Sequence, residues 1–186
     1  MPNPNPTDKV KALNLRVKAL FQEKPSEAIR NALAALDTFK ATPNCEVDLL
    51  EFHEVSAATD IAPEICFACL GGAAALVRLE IPPSEWPDIY CQFDVATIAL
   101  YDPTKAHTDQ QSPAPLSELI GEYENAFDHV RRGEVGPLLR LLQAAPEGQG
   151  AEDHQFNRPI YPVDADTPEW RAEINGIVCD LEEAGL

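Results

Sequence analysis

Between Leu116 and Val130, apolar side chains return every three or four positions: Leu116, Leu119, Ile120, Tyr123, Phe127 and Val130. That spacing gathers on one face of a 3.6-residue helix and on neither face of a strand, so it predicts an amphipathic helix stopped at Gly133. The signature recurs along the chain. Val10, Leu13, Val17 and Leu20 predict a helix over 8–22, with Lys11, Arg16 and Lys18 off the stripe. Lys24-Pro25-Ser26 interrupts it; Ser26 is the expected cap of a second helix, whose face is Ile29, Leu33, Leu36 and Phe39. Leu138, Leu139 and Leu142 predict a short helix. Asp166-Thr167-Pro168-Glu169 supplies a capping residue and an early-turn proline for a last one, carrying Trp170, Ile174, Ile177, Val178 and Leu181. Each stripe must be buried against another. The expected fold class is therefore mostly α, an irregular single-domain helical bundle.

The middle of the chain is harder to read. Val47 to Val55 has no clear period and fits a short helix or a strand. Pro63 suits the first turn of a helix, and Glu64 to Val77 is apolar nearly all round, which predicts a central buried helix. Gly71 and Gly72 would each cost about 1 kcal/mol against alanine inside a helix. Close approach of another helix is the simplest reason for them, and a break between a turn and a helix is the rival. Residues 81–87 read as a stiff connection anchored by Trp86. Residues 94–101 read as a short helix, and 103–115 as a loop. The expected organisation is a disordered arm over 1–7, a main helical domain over 8–144, a loop or linker over 145–166, and a C-terminal helix over 167–184 packed on the main domain.

Charge narrows the function classes. The 186 residues hold 14 Lys and Arg against 31 Asp and Glu, a net charge of -17. Residues 1–40 carry seven basic and four acidic groups, a local +3, and the remainder carries -20. A basic nucleic-acid-binding surface over most of the protein is excluded by that balance. The acids form no long run, so they are expected to be spread over a folded surface. The opening Met-Pro-Asn-Pro-Asn-Pro lacks a basic stretch followed by an apolar one, and no run approaches 18 apolar residues. A cytoplasmic protein with no membrane contact is expected.

Five cysteines stand at 45, 66, 69, 91 and 179, an odd number that argues against a disulfide scaffold. Cys66 and Cys69 are the close pair. Structural zinc normally takes four ligands, and Cys45, His53 and Cys91 would complete such a site only in an irregular arrangement. Cys66, about four residues into the expected helix, is the candidate nucleophilic thiol, because helix N-terminal amides favour thiolate. His154 is its candidate base and Asp153 the candidate orienting acid. Asp60 and Glu64 read as cap and first-turn residues before they read as cation ligands. Phosphate-loop, dinucleotide, calcium-loop and HExxH patterns are missing. The balance is against an enzyme, and no cofactor is expected.

The segment Cys66-Phe67-Ala68-Cys69-Leu70-Gly71-Gly72-Ala73 resembles small uncharacterised phage and prophage proteins, in which a cysteine-containing segment and a Leu-Gly pair precede an alanine-rich helix. The resemblance covers these eight residues and implies an accessory protein directed at a host target. Together with the charge it favours an acidic protein-binding regulator or inhibitor, a nucleic-acid mimic that blocks a basic groove. Its partner would be a protein with a basic surface, such as one that binds nucleic acid. Carboxylates would replace phosphates, with Glu122, Glu124 and Asp128 as candidate acids and Trp86 and Trp170 as exposed apolar anchors. Two alternatives stand beside it. One is a cytosolic thiol- or metal-dependent enzyme centred on Cys66 and Cys69; the other is a structural accessory protein that oligomerises through the 8–39 hairpin.

Overall fold

The computed structural model describes residues 6–50, 53–56, 64–84, 97–99, 113–142, 153–160 and 166–186. The chain is mostly helical within them. Helix α1 is Pro6–Leu20 and α2 is Pro25–Lys40; after strands β1 (Cys45–Val47), β2 (His53–Ser56) and β3 (Ile65–Ala68) comes α3, Leu70–Arg78. Strands β4 (Thr97–Ala99) and β5 (Pro113–Pro115) precede α4 (Leu116–Arg131) and α5 (Gly136–Leu141). A 3-10 turn at Asp153–Phe156 and α6 (Pro168–Glu183) complete the order.

The apolar stripes become the core. Val17 and Leu20 of α1, Ile29, Leu36 and Phe39 of α2, Tyr123, Phe127 and Val130 of α4, and Trp170, Ile174 and Ile177 of α6 are all buried. Helix α3 lies between α2 and α4, and α6 packs along α2. The first helix begins at Pro6, inside the stretch expected to be a disordered arm; residues 1–5 of that arm lie outside the described residues. Ser26 does not cap α2. Pro25 takes the first helical position, Lys24 precedes it without a side-chain cap, and the Ser26 hydroxyl donates to the Leu186 carbonyl at 2.5 Å. At α6 the cap is Thr167, whose hydroxyl accepts the Trp170 N–H at 3.2 Å, while neighbouring Asp166 pairs with Arg171 and Lys40.

The expected helix from Pro63 divides in two. Residues 65–68 form the middle strand of a three-stranded sheet, parallel to β1 and antiparallel to β2. The helix starts only at Leu70. Strand β3 alternates half-buried Ile65 and Phe67 with buried Cys66 and Ala68, and Cys69 turns the chain into α3. The ambiguous 47–55 segment resolves as extended chain at both ends. A turn follows β1, in which the Asp48 carboxylate accepts the Leu50 N–H at 2.9 Å. Asn44, at φ 59°, sets up the entry to β1; asparagine tolerates that left-handed conformation better than most side chains. Of the helix expected over 94–101, the described residues Thr97–Ala99 are extended instead and pair antiparallel with β5, which ends the expected 103–115 loop. A β-branched Thr-Ile pair suits that conformation.

Two glycines are demanded by contact. A Cβ on Gly71 would lie 2.6 Å from the Glu124 Cα, so α3 approaches α4 backbone to backbone with no room for a methyl group. Gly133, at φ +86°, ends α4 and brings the chain against Arg158, whose carbonyl oxygen would stand 1.8 Å from an added Cβ. The Arg158 N–H donates back to Gly133 at 2.9 Å. Residues 153–160, in the span expected to be a loop or linker, are thereby seated on the core, with Phe156 and Ile160 buried.

Candidate functional site

The cysteines occupy two settings. Cys45 in β1 lies directly opposite Cys66 in β3, and alternation turns both toward the core side of the sheet. Burial raises the Cys45 thiol above its ordinary value, and the neighbouring Cys66 offsets part of that rise. Cys45 is half-buried and Cys66 is 6% exposed. Burial, with the neighbouring Cys45 and Glu64, pushes the Cys66 thiol up to about 12. Cys69 is the cap of α3, and its sulfur accepts the Gly72 N–H at 3.4 Å. The helix amides favour its thiolate, yet burial outweighs them; Glu124 and Asp128 add to it, and the thiol stands at about 12.

This reverses the expected roles. Cys66 lies in a strand, where no helix terminus acts on it, and Cys69 holds the helix position but is buried and protonated. The antiparallel register sets Val55 opposite Cys66 and His53 opposite Ala68. Asp153 and His154 belong to the 3-10 turn, which packs on α5 and α6, away from the sheet elements that hold Cys66. Among the described residues, no three His, Cys, Asp or Glu side chains come together as metal ligands. Cys91 and Asp60 lie outside the described residues, as does Trp86.

The candidate interaction residues separate equally clearly. Trp170 is 2% exposed, and its indole N–H donates to the Arg131 carbonyl at 3.1 Å, so it holds α6 to the end of α4 and offers no surface anchor. The apolar stripe of α6, of which Trp170 is the first member, already carried this signal. Glu124 is 4% exposed and sits beside Cys69 on the inner side of α4. Asp128 holds both Arg131, at 2.6 Å, and Arg132, at 2.5 Å. Glu122 alone of these acids stands on the outer face of α4, one turn from exposed Glu118.

A feature that sequence reasoning missed is the use made of arginine. Arg16 pairs with Glu80, Arg30 with Glu182, and Arg78 with Glu23. Arg158 holds Asp180 at 2.9 Å, and Arg171 bridges Asp37 at 2.6 Å and Asp166 at 2.5 Å. With Arg131 and Arg132, seven arginines are thus committed to internal carboxylates. Asp128 with residues three and four positions on had a sequence signal; pairs 134 and 152 residues apart had none. Glu27, Glu46, Glu118, Glu122, Glu169 and Glu183 remain exposed and in no ion pair among the described residues. Burial thus keeps the Cys66 and Cys69 thiols protonated near neutral pH, and the described surface is rich in carboxylates without an ion pair. Among the described residues, no helix is long and apolar enough to cross a membrane. Comparison with family models, with curated proteins and with solved structures gives no match.

Proposed function

We propose that this chain is an acidic protein-binding regulator or inhibitor, of the phage accessory kind, that seats its carboxylates in a basic groove of a target and excludes nucleic acid from it. The observation that carries the reading is the division of charge. Arginines are spent on internal ties, so Glu27, Glu46, Glu118, Glu122, Glu169 and Glu183 are left without an ion pair among the described residues. Glu118 and Glu122, about 6 Å apart along α4, stand as its representative contact pair. Such a surface would steer association with a cationic partner and weaken as salt screens it. No covalent step is required, which accords with protonated thiols at Cys66 and Cys69.

The test is capture of partners from host lysate on the immobilised full chain at low and high salt, with duplex DNA as competitor. Partners should be basic, released by salt and displaced by DNA, and a Glu118→Gln/Glu122→Gln chain should retain less of them. Retention that is indifferent to both salt and DNA would overturn the reading.

A further inference from the structure

Cys45 and Cys66 bracket a segment of unusual composition. Residues 46–65 contain Glu46, Asp48, Glu51, Glu54, Asp60 and Glu64 and no lysine or arginine. The two cysteines are direct partners in the parallel β1–β3 ladder, and the Cys66 N–H donates to the Asn44 carbonyl at 2.9 Å, which fixes that register. Neighbouring strands stand about 4.7–4.9 Å apart, inside the roughly 4.4–6.8 Å over which two α-carbons can be joined by a disulfide. As direct partners in a parallel ladder, the two side chains project from the same face of the sheet.

We propose that Cys45 and Cys66 form a dithiol modification site, which a small-molecule disulfide of the glutathione type oxidises to an intramolecular bond that closes residues 46–65 into a covalent loop. Cys45 reacts first. It is half-buried where Cys66 is buried, so a small disulfide reaches its sulfur first. Its sulfur attacks glutathione disulfide; a Cys45–glutathione bond forms, the glutathione S–S bond breaks, and one glutathione thiolate leaves and is protonated. Cys66 then loses its proton to solvent base and attacks the Cys45 sulfur. The Cys45–Cys66 bond forms and the second glutathione departs as a thiol. Two cysteine thiols are oxidised, one glutathione disulfide is reduced to two thiols, and the two protons balance.

Two features direct the bond to this pair. Cys69 is held as the cap of α3 by the Gly72 amide, and its own burial is nearly complete. Cys179 is exposed on α6, which packs on α2 and the 3-10 turn, so it meets oxidant without a facing thiol among the described residues. Its expected product is a glutathione adduct. The closed loop would carry six acids, so the modification would restrain a fifth of the acidic groups of the chain.

The experiment treats the folded full chain with mixtures of glutathione and its disulfide at pH 8, quenches with acid, and maps the peptides by mass spectrometry. Circular dichroism follows the fold throughout. The peptides holding Cys45 and Cys66 should appear joined and two hydrogens lighter than their reduced sum, beside a glutathione adduct on the Cys179 peptide. Cys66→Ser should stop at a glutathione adduct on Cys45, and Cys69→Ser should still form the link. A bond from Cys66 to Cys69, adducts on Cys179 with both strand cysteines untouched, or a 45–66 link that forms only after unfolding in urea would each overturn the proposal. Wild-type mapping alone decides between these outcomes if a variant fails to fold.

Discussion

Replacing Gly71 by alanine tests how closely α3 and α4 approach. The new methyl carbon would stand 2.6 Å from the Glu124 Cα, 3.1 Å from its carbonyl oxygen and 3.1 Å from the Phe127 Cβ. Carbon atoms in contact prefer about 3.5–4.0 Å, so the helices would have to part by roughly 1 Å. The obstructing atoms are backbone and Cβ and have no rotamer into which to retreat. Overpacking of this kind costs about 1–3 kcal/mol. The helix propensity of alanine returns at most about 1 kcal/mol, and less here, since Gly71 is the second residue of α3. The net expectation is destabilisation by about 1–2 kcal/mol. Gly121 provides the opposite case: it lies inside α4 with nothing within 4 Å of an added Cβ. Gly121→Ala should therefore stabilise by about 0.5–1 kcal/mol. Urea unfolding followed by circular dichroism reads both, and with a slope of roughly 2–3 kcal/mol/M the midpoints should move in opposite directions by several tenths of a molar. Equal stabilisation by the two substitutions would refute the close packing of α3 on α4.

The other expectations concern the ties to α6. Trp170→Phe removes the N–H that satisfies the Arg131 carbonyl and leaves a gap in the core; a loss of about 1–3 kcal/mol is expected, read as a lowered thermal midpoint, and an unchanged midpoint would contradict the contact. Burial works to raise the Asp166 carboxyl, but the hydrogen bonds and charges of Arg171 and Lys40 prevail and hold it below its ordinary value. Its stabilising contribution should be complete above the unfolded pKa of about 3.9 and be lost as pH falls through the lower folded value. Acid titration of stability in wild type and Asp166→Asn should show the two curves converging below pH 4; a constant gap down to pH 2 would contradict it.

The helices were legible because their apolar residues keep one period over three or four turns. In α2, α4 and α6 no other periodicity competes with it. The Ile65–Val77 run carried no such discrimination, since a strand buried among its neighbours and a buried helix are both continuously apolar. What separates them is pairing with β1 and β2, a relation between distant residues. The same limit hid the Cys45–Cys66 juxtaposition and the arginine ties of α2 to α6. Gly71 was legible as a site of close approach because its cost in a helix requires a reason, and Glu124 supplies it. Counting acids identified the charge but not its division: Glu124 and Glu122 are two residues apart on one helix, one buried and the other exposed.

Strand β3 is made after both of its neighbours and stands between them. Synthesis at roughly 5–20 residues per second leaves about one second between completion of Ser56 and of Ala68, whereas hairpins form in roughly 1–10 μs. Through that interval β1 and β2 are strands without a template, open to pairing with other chains. Glu46 lies in one and Glu54 in the other, and charge on an unpaired strand discourages such encounters. The arrival of residues 65–68 then completes both ladders at once and delivers the chain to the first turn of α3. Assembly of the sheet is thus timed by the emergence of its central strand, and the acids stand guard over the wait.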